Sequence, residues 1–141
     1  MKDILDLIGR ILLAVVFFFE AVDSILYFNQ TKEVMSKFGL TFQQDIILIF
    51  SIAILILGAT LLLVGYRSSF GAVLLVLYWL PVTFIVHSFW NDPEEMRRLQ
   101  SVLFTKSLAI AGGLFLMIVN GSGRYSVKSL LANTKVPKRF R

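Results

Sequence analysis

IILIFSIAILILGATLLLVG, residues 46–65, holds no charged residue, and its only polar side chains are Ser51 and Thr60. Crossing ~30 Å of hydrocarbon at ~1.5 Å per residue takes roughly 20 apolar residues, so this run reads as a membrane-spanning helix. A barrel strand alternates apolar and polar side chains, and this run does not. Inside lipid the backbone must satisfy its own hydrogen bonds, which a helix does within a single segment.

Three other stretches share this character. Alongside the run itself, which extends over residues 45–66, residues 4–28, 70–90 and 102–120 are apolar and long enough to span. The linkers NQTKEVMSKFGLTFQQ, RSS and NDPEEMRRLQ are short and polar. The predicted fold is an all-α integral membrane four-helix bundle over residues 1–121, followed by a basic tail over residues 122–141. Composition points the same way, with 57% hydrophobic and 16% charged residues, against about 45–50% and about 25% in soluble domains. Mean hydropathy is +0.77. The absence of cysteine excludes disulfides, thiolate metal sites and CxxC redox motifs. Six of the fourteen basic residues follow Gly123. The net charge of +5 is thus a property of the tail, and no nucleic-acid face is implied.

The first span reads as a retained helix and not as a cleaved signal peptide. Glu20 interrupts it, no small-x-small site precedes its polar end, and its apolar stretch is long for an h-region. Orientation follows the basic residues. With four spans, Lys2, Arg10, Arg67, Arg124, Lys128, Lys135, Lys138, Arg139 and Arg141 share one side, and Lys32, Lys37, Arg97, Arg98 and Lys106 the other. Both termini are therefore expected to be cytoplasmic, in a bacterial inner membrane. Ala14 and Ala21, Gly58 and Gly65, and the pair Gly112–Gly113 are positions where helix backbones approach closely. Pro81 is expected to kink the third span.

The first span also carries FFFEAVDSI, residues 17–25, which sets two carboxylates in hydrocarbon. Glu20 and Asp23 share a helix face that Tyr27 continues. On the predicted topology His87 lies about one turn below the outer end of the third span, and Lys106 about one turn into the fourth. Glu20, Asp23, Tyr27, His87 and Lys106 therefore form a candidate outer-leaflet polar cluster. Intramembrane charges seek partners, so Lys106 is expected to pair with Glu20 or Asp23, leaving the other acid to bond His87 or carry a proton. Such a cluster serves either as a plug that sets helix register or as a small-molecule pocket. Arg10 is placed to snorkel to the headgroups. Trp90 reads as an interfacial anchor, and Tyr78 and Trp79 as packing residues.

One histidine and no cysteine make no bis-histidine haem site, and the repeated Glu-x-x-His pairs of di-iron bundles are absent from the sequence. No P-loop, GxGxxG or triad pattern appears, so no metal and no catalytic set is expected. In the tail, Val127, Leu130 and Leu131 are spaced for a short amphipathic helix, and Lys135, Lys138, Arg139 and Arg141 for anionic headgroups.

Three stretches, GRILLAVVFFFEAVDSILYF, VHSFW and FTKSLAIAGGLFLMIVNGSGRYSV, resemble in their order the DoxX-like family of four-helix membrane proteins. The resemblance runs from about Gly9 to Val127. It is carried most specifically by Phe104, Lys106, Leu108, Ala109, Gly112, Gly113, Leu114 and Leu116, then by Gly121, Gly123, Arg124 and Ser126. Departures stand at Glu20 and Asp23, where many relatives have a Gly-x-x-Lys pattern, and at Lys128, where an acid is common. The resemblance implies association with quinone-linked oxidoreductases. The leading expectation is a non-catalytic accessory subunit of a larger, possibly redox, membrane complex or a homo-oligomer. Its rivals are a quinone- or lipid-binding oxidoreductase component with an outer-leaflet pocket and a small proton-coupled carrier.

Overall fold

The structure, a computed structural model, describes residues 1–133. Helices α1 (Lys2–Leu26), α2 (Phe28–Lys37), α3 (Gln44–Val64), α4 (Ser68–Val86), α5 (Glu94–Asn120) and α6 (Val127–Asn133) follow one another, with a 3-10 turn at Phe89–Asn91. No strand occurs among the described residues. α3 packs between α1 and α4, α4 packs on α3 and α5, and α1 meets α5 only slightly. The shared core is Phe17, Leu55, Leu62, Leu75, Trp79 and Leu114. Many large apolar side chains face outward instead, Phe19 at 74% and Leu77 at 67% exposure among them. A soluble monomer does not tolerate so much contiguous apolar surface; a lipid-facing one requires it.

Among the described residues three helices are long and apolar enough to cross a membrane, and four if α1 and α2 are counted together. α1 falls short alone because Arg10, Glu20 and Asp23 interrupt it. α4 runs through Pro81 to Val86. α5 begins at Glu94, well before residue 102, so most of the polar linker NDPEEMRRLQ is helical. The linker NQTKEVMSKFGLTFQQ likewise contains a helix, α2, which leaves α1 at 93°.

Glycines set the closest helix contact. A Cβ on Gly58 would lie 2.7 Å from Leu75 Cγ, and one on Gly71 would lie 2.9 Å from the Gly58 carbonyl. α3 and α4 thus touch backbone to backbone, as small residues permit. Ala14 and Ala21 are buried on α1. Gly112 is the exception, since nothing lies within 4 Å of the Cβ it lacks.

The end carrying Met1 and residues 121–126 is tied together by Arg10, which does not snorkel. Its side chain is fully buried, with Nε donating to Asp6 Oδ2 at 3.0 Å and Nη2 to the Tyr125 carbonyl. Asp6 Oδ2 also accepts from the Gly123 amide at 3.0 Å, and Asp3 Oδ1 from the Arg124 amide at 3.2 Å. Ser122 donates to the Gly65 carbonyl at 2.9 Å, and Ser126 Oγ caps α6 through the Ser129 amide. The segment GSGRYS is therefore a strap that closes the bundle. It holds Arg10 inside by giving Nε and Nη2 fixed acceptors, while Nη1 is buried without a partner among the described residues. The basic residues Lys135, Lys138, Arg139 and Arg141 lie outside the described residues.

Candidate functional site

At the opposite end the sequence places Glu20, Asp23 and Ser24 on one face of α1, three and four residues apart. Helical dihedrals stop at Tyr27 (φ −108°, ψ 39°), and the chain turns sharply into α2. α2 is held across this end by polar bonds. Lys32 Nζ pairs with Asp45 Oδ1 at 2.7 Å, and Gln44 Nε2 reaches the carbonyls of Leu40 (2.6 Å) and Lys32 (3.2 Å) and the Ser36 hydroxyl (2.7 Å). Thr31 Oγ1 donates to the Tyr27 carbonyl at 2.9 Å.

α2 covers a cavity of about 480 Å³, within the range of small-molecule sites, about 300–1,000 Å³. α1 contributes Glu20, Asp23 and Ser24 to its wall, and the helix break contributes Tyr27. Gln30, Thr31, Val34, Met35 and Phe38 come from the α2 side. α3 adds Ile47, Leu48 and Ser51, and α4 adds Tyr78, Trp79, Val82 and Thr83, with His87 just beyond it. One end is thus polar and the rest mostly apolar, which is the composition of a site for an amphiphile.

Trp79 is locked in place. Its Nε1 donates to the Ser107 carbonyl at 3.0 Å, and its ring meets Phe17 edge-on with centroids 5.2 Å apart. Outside the cavity, Trp90 stacks edge-on against Phe89 and Phe104. Among the described residues, neither the Glu20 nor the Asp23 carboxylate makes a hydrogen bond or salt bridge to a protein group. Glu20 is close enough to Asp23, His87 and Tyr78 to interact with them electrostatically.

The expected pairing of Lys106 with an acid is overturned, and of the two roles left open for the other acid the bond to His87 is not formed. Lys106 is exposed, does not line the cavity, and pairs with neither acid. The buried stripe of α5 runs through Ser107, Ala111 and Leu114, and Lys106 is turned about 100° from Ser107. α5 is also the helix that scarcely touches α1. His87 bonds not a carboxylate but Gln100, with Nδ1 and Oε1 3.0 Å apart. Neither Gln100 nor the α2 residues stand out in the sequence, because both linkers are merely polar there. The spacing of Thr31, Val34, Met35 and Phe38 was the available sign of an amphipathic helix. Among the described residues no group of three or more His, Asp or Glu side chains is disposed to hold a metal ion.

Comparison with known proteins assigns the chain. It is 26% identical to the inner membrane protein YqjF of Escherichia coli over 132 residues, 93% of this chain and 95% of that protein. It is 25% identical to the inner membrane protein YphA of the same organism over 89% of each chain. A third similarity, to the Surfeit locus protein 4 homolog of Schizosaccharomyces pombe, is 33% identical over 72 residues but spans only 24% of that longer protein. No solved structure matches. The DoxX family model matches residues 5–88, a range that includes Arg10 and every residue lining the cavity. The chain is an integral membrane protein of the DoxX family.

Proposed function

We propose that this protein binds a small amphiphilic molecule, headgroup toward Glu20, Asp23, Tyr27 and His87 and apolar body along Leu48, Trp79 and Val82. The observation that carries this reading is the cavity of about 480 Å³ under α2. A helix laid across a bundle only to finish its packing would fill the space with side chains, whereas here a volume large enough for a ligand remains. The basic residues at the terminal end favour cytoplasmic termini. The pocket then opens on the outer side of an inner membrane, the compartment named for YqjF and YphA.

A quinone suits the cavity by volume but less well by chemistry. Its carbonyl oxygens accept hydrogen bonds, and a carboxylate only accepts as well. Tyr27, Tyr78 and His87 remain as donors.

A second reading, an accessory subunit of a larger complex, has its own support. On the exposed side of α5, Thr105, Ala109 and Gly112 form a small-residue surface, and the space beside Gly112 is open. Another helix can approach closely there.

The test is native mass spectrometry of the full chain released from a mild detergent. A bound small molecule is expected. It should be lost in Val34→Trp, which fills the cavity from the α2 side without touching the core. Retention of the same molecule in Val34→Trp places it elsewhere and ends the reading. Co-purification of a larger protein that Gly112→Leu abolishes supports the second reading.

A further inference from the structure

We propose that the cavity selects a cationic headgroup, a protonated or quaternary amine on an apolar body, seated between Glu20, Asp23 and the surrounding aromatic rings. This rests on the small-molecule reading above and adds the chemical class of the ligand.

The first ground is a charge imbalance that the protein does not correct. Among the described residues, the ionisable side chains lining the cavity are Glu20, Asp23, Tyr27, Tyr78 and His87, with no lysine or arginine. Two nearby candidates for a counter-charge are turned away. Lys32 of the covering helix is engaged by Asp45, and Lys106 points off α5. His87 Nδ1 is taken by Gln100. Carboxylates near a membrane span normally have partners. This chain supplies them where it needs them, since Arg10 at the other end has Asp6 and a backbone carbonyl. At the cavity, among the described residues, neither acid has a salt bridge or hydrogen-bond partner and His87 is the only basic group within electrostatic reach of Glu20, so a cation on the ligand completes the set.

The second ground is aromatic and independent of the acids. Tyr27, Phe38, Tyr78 and Trp79 all line the same space. Ring faces attract ammonium groups within about 6 Å, and aromatic cages are the recurrent solution for quaternary amines. Trp79 is held rigid by Ser107 and Phe17, so its ring is preset and need not be ordered by the ligand. Val34, Met35, Leu48 and Val82 provide the apolar remainder of the wall, suited to an alkyl body.

The experiment uses the full chain in a maltoside detergent with Trp90→Phe as background, so that Trp79 emission reports the cavity. Titrants are octyltrimethylammonium, octanol, octanoate and a short-chain quinone. Octyltrimethylammonium is expected to change the emission saturably. Its affinity should exceed that of octanol by on the order of tenfold and fall by a similar factor in Glu20→Gln and in Asp23→Asn. Asp23 is exposed, so Asp23→Asn carries the test if Glu20→Gln does not fold. Octanol or the quinone binding as tightly as the amine, with no effect of either substitution, overturns the cationic head and leaves the cavity reading standing. No saturable change with any titrant overturns both.

Discussion

Two cations, each in the first half of its helix, meet opposite fates, and local acceptors explain the difference. Arg10 has Asp6 one turn before it and the Tyr125 carbonyl across from it, so it is buried entirely. Lys106 has no acid in reach and turns outward. Arg10→Ala should therefore strip Asp6 and Tyr125 of their donor and lower stability by about 3–5 kcal/mol, as breaking a buried pair does. Lys106→Ala should shift stability by less than about 1 kcal/mol, as exposed charges do. Thermal unfolding in detergent compares the two, and equal losses would refute the assignment. Gly65 belongs to the same knot. Its φ of +72° and the Arg10 guanidinium, which fills the place a Cβ would take, leave no room for a side chain. Gly65→Ala should cost about 1–3 kcal/mol by forcing a left-handed alanine.

Among the elements, α3 and α4 owe their contact to Gly58 and Gly71, and α2 owes its position to a few polar bonds. Gly71→Ala puts a methyl 2.9 Å from the Gly58 carbonyl and should cost about 1–3 kcal/mol as overpacking. Gly112→Ala meets only open space and should be neutral or stabilising by up to about 1 kcal/mol through helix propensity. The melting temperatures of the pair should move in opposite directions or leave Gly112→Ala unchanged. α2 has no buried residue of its own. Lys32→Ala with Gln44→Ala removes its tethers, and should raise amide exchange in residues 28–37 while exchange in α3 and α4 stays slow. Exchange rising equally in all three would show that α2 is part of the core and not a cover over it. The helix hid in the sequence because ten residues carrying two lysines and one glutamate resemble a loop. Only packing over the cavity decides that Thr31, Val34, Met35 and Phe38 face one way.

Across the whole molecule, the apolar runs alone determine that the chain is helical and embedded in lipid, because no other backbone arrangement survives twenty uncharged residues in hydrocarbon. The same runs place the long helices to within a few residues, except where polar linkers wind into α2 and the start of α5. Glu20, Asp23, Tyr27 and His87 could be drawn together from depth, since position along a span fixes height in the membrane. Height says nothing about azimuth. Whether a side chain points to the cavity, to lipid or to a neighbour depends on how each helix is rotated in the bundle. That rotation is set by core contacts such as Phe17, Leu55, Leu75 and Leu114, spread over the whole chain. Packing alone therefore decided that Lys106 leaves the acids unpaired, that His87 bonds Gln100, and that Arg10 is sealed beneath the terminal strap. Sequence sets how deep a charge lies; the interlocking of helices sets what it faces.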